Sequence, residues 1–198
     1  MELGYERASM SEIAARLGGS KATLYSYFPS KEELFFGVVQ LKVGGELEPA
    51  LLELPSRAGE EPRALLTRLG ERMLAALTAP SAIAVRRMVI AEASKTNIGR
   101  QFWEHGPQQM LDSFAAYLAA ATQVGRLEVK DPVAAAQHVV ALFGAETDWR
   151  WVFGVQETFT RAQLKQTVAR AVDVIMAAYG PRERQAPGPR PTASAGTR

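Results

Sequence analysis

The fold is decided by residues 9–35, which read SMSEIAARLGGSKATLYSYFPSKEELF. A Gly-Gly pair interrupts the apolar spacing after the first part of this stretch, and Pro29 cannot continue a helix. Ser9, Ser20 and Ser30 each stand where a serine can cap the next helix. Ser9 and Ser30 are also followed three residues later by glutamate, the pattern of a capping box. The stretch therefore predicts three short helices joined by tight turns.

The first two predicted helices present different faces. In the first, an apolar stripe at helical spacing should face the core: Met10, Ile13, Ala14 and Leu17. In the second, only Leu24 and Phe28 share an inward face. The residues that remain outside are Lys21, Thr23, Tyr25 and Tyr27. A helix, a glycine turn and a second helix with a hydroxyl-rich outer face is the layout of a helix-turn-helix DNA reader.

At these residues the chain resembles the TetR family of bacterial transcriptional regulators. The resemblance is carried by an ordered series of motifs: Gly4-Tyr5, Ser9-Met10, Ile13-Ala14, Leu17-Gly18-Gly19-Ser20, Lys21-Ala22-Thr23-Leu24-Tyr25, Tyr27-Phe28 and Ser30-Lys31-Glu32. Gly19 replaces a valine that usually packs, which should loosen the turn, and Ala22 replaces a common glycine. The family also has an N-terminal helix before the Gly-aromatic pair, whereas Gly4 follows Met1 by three residues. We expect the natural protein to carry that helix upstream of this start.

Composition excludes several other classes of protein. The 198 residues fit one compact domain, or a small head with a larger body, and 47% hydrophobic content is ample for a core. No apolar run is long enough for a membrane span, and no signal peptide is evident. The absence of cysteine from the sequence excludes disulfides and thiolate metal sites and is compatible with the cytosol, where we expect the protein.

The formal net charge of +2 is unevenly distributed. Residues 180–198 hold four arginines and one glutamate, or +3, which leaves −1 for the rest of the chain. Residues 1–40 hold four basic and five acidic residues, so the predicted DNA-binding head is not basic. DNA contacts would therefore depend on helix N-termini, hydroxyls and two well-placed lysines.

The rest of the chain predicts helices, without strand-like alternation or repeats, so the fold class is all-α. The predicted helices cover 30–49 at most, 63–79 closed by Pro80, 81–94 capped by Ser81, 98–122 with a break at Gly106-Pro107, 133–155, and 160–179. We expect a polar loop at 55–62. The predicted organisation is a head at 1–45, a body at 46–179 and a disordered basic tail at 180–198.

Residues 94–143 resemble the C-terminal half of the AefR-like subgroup of the same family. They contain, in order, an aromatic-rich helix, Gly-Pro, an Ala-rich helix, Gly-Arg-Leu, an acidic residue before proline and a buried helix. The resemblance implies a homodimer held by the segments 131–155 and 160–179. Its two recognition helices would enter successive major grooves of a palindromic operator, about 34–36 Å apart.

The resemblance also implies a DNA-binding set: Ser9, Ser20, Lys21, Ala22, Thr23, Tyr25, Tyr27 and Lys31. Thr23, with Lys21 and Ala22, would read base edges, whereas Ser9, Lys31 and the two tyrosines would contact phosphate. Ordinary helix packing is the alternative for Tyr25 and Tyr27.

In such proteins the body encloses a pocket for a small effector. Large soft side chains available to line it are Met73, Met88, Phe102, Trp103, Met110, Phe114, Phe143, Trp149 and Trp151, and polar contacts could come from Glu92, His105 and His138. As a set they favour an apolar or aromatic effector, with plain core packing as the alternative for each. No cofactor or metal is expected.

Two other functions are alternatives to a repressor. An enzyme is disfavoured because the sequence has no Gly-x-Ser-x-Gly, no His-Glu-x-x-His, no phosphate-binding glycine loop and only two histidines, 33 residues apart. The second alternative is a dimeric helical protein that binds a small molecule and has lost DNA binding with its first helix. Repression is the commoner outcome in the family, although the sequence leaves activation open.

Overall fold

A computed structural model describes residues 9–39, 47–156 and 158–181. These residues form eleven α-helices, one 3-10 helix and no strand, which confirms the all-α prediction. The head contains α1 (Met10–Arg16), α2 (Lys21–Tyr27) and α3 (Lys31–Val39). Residues 40–46 of the predicted helix at 30–49, residues 182–198 of the predicted tail at 180–198 and the Gly4-Tyr5 pair lie outside the described residues.

The body contains the remaining helices. They are α4 (Leu47–Leu52), the 3-10 helix (Leu54–Arg57), α5 (Pro62–Leu77), α6 (Pro80–Glu92), α7 (Ile98–His105), α8 (Pro107–Gln123), α9 (Pro132–Gly144), α10 (Asp148–Val152) and α11 (Arg161–Tyr179). Gly106 separates α7 from α8, which confirms the predicted break. Asp131 caps α9 through bonds from the backbone of Val133 and Ala134, and Thr160 caps α11 with a complete capping box.

The three head helices share a small core. Met10, Ala14 and Leu24 are buried, and partly buried side chains pack around them: Ile13, Phe28 and Leu34. The predicted inward position of Leu17 is wrong, because α1 ends at Arg16 and Leu17, at the C-cap, is 72% exposed. The apolar stripe of α1 therefore stops about one turn short of its predicted length.

The body is built around α5, α8, α9 and α11. Its largest completely buried side chains are Tyr117, Phe114 and Phe143. The Phe143 ring lies directly against α5 at Gly70, where an added Cβ would come within 2.5 Å of the ring. Arg63 of α5 and Asp173 of α11 form an ion pair at 2.5 Å on the surface of this core.

Three predicted boundaries are corrected by the structure. Pro49, the latest predicted end of the helix at 30–49, lies inside α4, in its first turn, where a missing N–H has no helical partner to lose. The predicted loop at 55–62 contains most of the 3-10 helix, which is anchored by buried Leu54. Ser81 does not cap α6, because Pro80 occupies the first helical position and Ala79 stands at the N-cap.

The predicted helix at 133–155 is two helices. The first ends at Gly144, and α10 starts at Asp148 after a turn in which the Thr147 backbone N–H donates to the Gly144 carbonyl at 3.0 Å. Only one side of α9 is buried within the protomer, since Ala135, Ala136, Val139 and Phe143 are buried whereas Val133 is exposed. The interruption brings Asp148 back against α9 at Gly144.

Among the described residues, no single helix is both long and apolar enough to cross a membrane; α5 and α6 meet that test only when taken together, across a bend of 68°.

Candidate nucleic-acid interface and effector cavity

The turn between α1 and α2 is a Schellman motif. The Gly18 N–H donates to the Ala15 carbonyl at 3.2 Å, and the Gly19 N–H donates to the Ala14 carbonyl at 3.1 Å. Gly18 has φ +71°, a left-handed conformation that favours glycine. Gly19 has no such φ, and an added Cβ there would meet no atom within 4 Å. The turn thus requires one glycine, at position 18, and tolerates the other.

Ser20 then fixes the start of α2. Its Oγ accepts a bond from the Thr23 N–H at 3.0 Å and lies 2.8 Å from Thr23 Oγ1, so the Thr23 side chain is held in one orientation. The Ser26 hydroxyl donates to the Thr23 carbonyl at 2.7 Å. The Lys21 ammonium lies 5.6 Å from the centre of the Tyr25 ring, a cation–π contact. The outer face of α2 is therefore ordered by local polar contacts.

The body encloses a cavity of about 340 Å³, within the usual size range for small-molecule sites. Its apolar wall contains Leu47, Leu51, Leu52, Met73, Leu74, Leu77, Phe102, Pro107, Met110 and Val140. Its polar wall contains Glu48, Thr78, Arg86, His105, Gln109, Ser113, Thr147 and Asp148. Each helix from α4 to α10 contributes at least one residue, so a ligand here would contact most of the helices of the body.

Arg86 is the most deeply buried charge in this wall. Its guanidinium lies 4.0 Å from the centre of the Trp151 ring and donates through Nη2 to the Leu77 carbonyl at 2.8 Å. Its Nη1 is 3.9 Å from Asp148 Oδ1, and its Nε is buried without a hydrogen-bond partner. Burial lowers the pKa of Arg86, and the nearby Asp148 carboxylate partly opposes that shift.

Two family models match the chain. The model of the bacterial regulatory proteins of the tetR family matches residues 1–38, and that of the AefR-like transcriptional repressor C-terminal domain matches residues 64–181, more than half of the chain. The chain belongs to the TetR family. Members of this family are ligand-responsive DNA-binding repressors, that is, transcription factors rather than enzymes.

Solved structures of TetR-family proteins are similar over most of their length. A putative TetR-family regulator from Mesorhizobium loti is 28% identical, with a TM-score of 0.78 and 90% of each chain covered. The flavonoid-responsive regulator FrrA is 29% identical, with a TM-score of 0.68, covering 92% of this chain and 91% of its own. A TetR-family regulator from Pseudomonas syringae is 27% identical, with a TM-score of 0.67 and coverages of 90% and 88%. No curated protein sequence matches significantly.

In this TetR head, the predicted DNA-binding residues lie on α1, α2 and the start of α3. The exposed members of the set are Ser9, Ser20, Lys21, Ala22, Thr23, Tyr25 and Tyr27, and Lys31 is half-buried. Core packing, the alternative for the tyrosines, is not what the structure shows, since Tyr25 is 40% exposed and Tyr27 is 75% exposed. Ser9 caps α1 by accepting from the Glu12 N–H at 3.2 Å.

The predicted DNA-binding surface has no excess of positive charge. Residues 9–39 contain three basic and three acidic residues, so the described part of the head is neutral overall. No group of His, Cys, Asp or Glu among the described residues is arranged to hold a metal ion.

Only some of the predicted ligand-binding residues line the cavity. Met73, Phe102 and Met110 lie in its wall, whereas Phe114 and Phe143 have no exposed surface and belong to the core. The other predicted residues are also outside the wall: Met88 is half-buried on α6, Trp103 donates to Gln108 Oε1 on the surface, Trp149 is 68% exposed, and Trp151 lies beneath Arg86. Apolar periodicity identifies buried positions, but it does not separate a core from a cavity.

The prediction of the polar groups was as incomplete as that of the apolar ones. His105 lines the cavity, whereas Glu92 pairs with Lys95 at 3.7 Å and His138 lies 2.6 Å from the Tyr179 hydroxyl, both outside the wall. Arg86 and Asp148 were missed. An available signal was the Arg86-Arg87 pair, which interrupts the otherwise apolar run of α6. Asp148 offered no comparable signal, because its position follows from the unpredicted break after α9.

Proposed function

We propose that this TetR-family protein is a homodimeric repressor that binds a palindromic operator through α2 and is released by a small apolar or aromatic effector. The observation that carries this proposal is the ordered, exposed and hydroxyl-rich face of α2. Such a face has little to bury in its own protomer and matches the donors and acceptors of a major groove.

Residues of the head divide into two roles. Thr23, flanked by Lys21 and Ala22, reads base edges, because its fixed side chain presents a methyl and a hydroxyl oxygen in a defined direction. The phosphate contacts are made by Ser9, Tyr25, Tyr27 and Lys31, which set register without reading sequence.

The dimer uses α9, α10 and α11 with the loop that joins the last two. These elements leave large apolar side chains exposed in one protomer: Val133, Trp149, Phe153, Val155 and Val174. Trp149 and Phe153 stack with ring centres 5.7 Å apart, which gives this surface an aromatic anchor of the kind that interfaces favour. A two-fold dimer through this surface would present two heads to half-sites about 34–36 Å apart.

The effector occupies the cavity between α4 and α9. An effector can release DNA only if it binds better to the protomer arrangement in which the heads do not fit the operator. The similarity to FrrA, which is flavonoid-responsive, supports an aromatic effector. The mainly apolar wall around Met73 and Phe102 supports it independently.

A gel-shift assay on the DNA upstream of the protein's own gene tests the proposal. Wild type should bind as a dimer and in preference to random DNA. Lys31→Ala should weaken binding to all sequences alike and reduce the salt dependence by about one counterion. Thr23→Ala should change the preference at one base pair by about 1–3 kcal/mol.

Two further variants separate the contribution of the Thr23 methyl group from that of its hydroxyl. Thr23→Val keeps the methyl group and replaces the hydroxyl with a second methyl, whereas Thr23→Ser keeps the hydroxyl and loses the methyl. A specificity change in Thr23→Ser alone would assign recognition to a thymine methyl. Equal losses on specific and random DNA for Thr23→Ala would contradict its role. No DNA binding by folded wild type would favour the helical protein that has lost DNA binding.

A further inference from the structure

We propose that the polar end of the cavity, formed by Arg86 and Asp148, binds a hydroxyl group of the effector. The effector class is then an aromatic compound with a phenolic hydroxyl, rather than a carboxylic acid, an amine or a plain hydrocarbon. This inference rests on the proposed function, since it names the chemistry of the ligand that the cavity takes.

The Arg86 guanidinium is held in place. Its side chain is only 18% exposed, and it is fixed by the Trp151 ring on one face and by the Leu77 carbonyl at Nη2. A buried guanidinium with unused donors is costly unless a partner reaches it. The donors of Arg86 are thus positioned before any ligand arrives, as a preformed site requires.

The ion pair with Asp148 is open. Nη1 and Oδ1 are 3.9 Å apart, longer than the roughly 2.7–2.9 Å of a charge-assisted hydrogen bond. Asp148 Oδ1 accepts instead from Trp151 Nε1 at 3.0 Å. Its Oδ2 lies against α9, where a Cβ added to Gly144 would be 2.4 Å away. One oxygen atom of a ligand can reach both charges across such a gap.

The other hydroxyls at this end cannot replace a ligand donor. Thr78 Oγ1 donates to the Leu74 carbonyl at 2.6 Å, and Thr147 Oγ1 donates to the Gly144 carbonyl at 3.3 Å. The site therefore offers donors from Arg86 and an acceptor from Asp148. A group that accepts from the first and donates to the second satisfies both, and a hydroxyl does this with one atom.

Other polar groups fit less well. A carboxylate would accept from Arg86 but would place a second negative charge beside Asp148, and an ammonium would face the guanidinium. A hydrocarbon would leave the donors of Arg86 unpaired. The apolar part of the wall includes Leu51, Phe102 and Val140, which suits the aromatic body of a phenol.

Isothermal titration with four matched probes tests the inference: 2-naphthol, its methyl ether, 2-naphthoate and naphthalene. We expect 2-naphthol to bind at least about tenfold more tightly than the other three, since only it both donates and accepts. Arg86→Met should remove most of the difference in affinity between 2-naphthol and naphthalene. Asp148→Asn should weaken 2-naphthol several-fold and leave naphthalene unchanged.

Tighter binding of 2-naphthoate, an unchanged ratio of naphthol to naphthalene in Arg86→Met, or no binding of any probe would each overturn the inference. Circular dichroism and thermal unfolding establish whether Arg86→Met folds; if it does not, Asp148→Asn decides, because Asp148 is 51% exposed. A gel shift on the same samples separates the two proposals. Operator binding without naphthol binding overturns only this inference, whereas lack of operator binding by wild type overturns the repressor itself.

Discussion

Gly37 in the head and Gly70 in the body each leave space for a phenylalanine ring, but the two rings differ in how deeply they are buried. Each lies under a phenylalanine ring, and an added Cβ would come within 2.8 Å of Phe28 at the first and within 2.5 Å of Phe143 at the second. Phe28 is half-buried, whereas Phe143 has no exposed surface. The ring in the head has room to move, and the ring in the body has none.

The difference extends to the two cores. Among the described residues, the head core has three buried side chains, whereas the body core has 23. A core as small as that of the head is marginal by burial alone. Within its described residues, the head therefore depends more on its turn and its helix caps, the same features that order the outer face of α2. The body can instead tolerate an open cavity, because the rest of its core is close-packed.

The largest expected effect comes from removing a ring. Phe143→Ala should lower the free energy of unfolding by about 3–5 kcal/mol, the usual cost of a fully buried phenylalanine. Phe28→Ala should cost less than half as much, because much of that ring is already in contact with water. Urea unfolding followed by circular dichroism measures both. Equal losses would mean that the head core is as tightly packed as the body core.

The next effect comes from filling the space under each ring. Gly70→Ala should destabilise the protein by about 1–3 kcal/mol through overpacking, although alanine is favoured in helices by about 1 kcal/mol. Gly37→Ala should stay within about 1 kcal/mol of wild type, since Phe28 can shift and the helix gains. Thermal unfolding of the two variants against wild type measures this. A larger loss for Gly37→Ala would show that Phe28 cannot move.

Substitutions of the two glycines in the turn between α1 and α2 should have smaller effects on stability, and they compare two positions within the head. Gly18→Ala should cost about 1–2 kcal/mol, the price of a left-handed residue with a Cβ. Gly19→Ala should be neutral or stabilising by up to about 1 kcal/mol, because its backbone is not left-handed and its Cβ has open space. Hydrogen exchange in α1 and α2 reports both. Loss of protection in Gly19→Ala would contradict the assignment.

The matched control in the body is Gly125, which ends α8 with φ +72° and the same pair of Schellman bonds. Gly125→Ala should reduce the local stability of its turn by as much as Gly18→Ala does in the head. Only Gly18→Ala should weaken operator binding, since only that turn positions α2. Equal effects on DNA binding would mean that the loss reflects global stability.

Sequence alone predicted the α2 face well, because its determinants are local. Ser20 and Pro29 set the helix limits, and the spacing of Leu24 and Phe28 sets which side is buried. The exposed Leu17 and the break after Gly144 were not predictable in this way, since each depends on where another helix packs. The cavity wall is the extreme case: Phe102 lines it and Phe143 does not, although periodicity treats the two alike.

The smallest expected effect concerns an ion pair that joins the turn after α9 to α11. Glu146 accepts from Arg170 Nε at 2.7 Å and from Thr167 Oγ1 at 3.0 Å. The hydrogen bond from Arg170 is the main cause that lowers the pKa of Glu146 below its ordinary value of 4.5, and Thr167 adds to it. The pair is largely solvent-exposed, so the stabilisation is small.

Because the folded pKa lies below the unfolded one, this stabilisation is complete above pH 4.5 and is lost as the pH falls through the folded value. Glu146→Gln removes the titrating group. The melting temperature of wild type should therefore exceed that of Glu146→Gln slightly at neutral pH, and the gap should close in acid. A gap that widened as the pH fell would contradict the direction of the pKa shift of Glu146. It would also contradict the interpretation that surface polar contacts add little stability to a body stabilised mainly by burial.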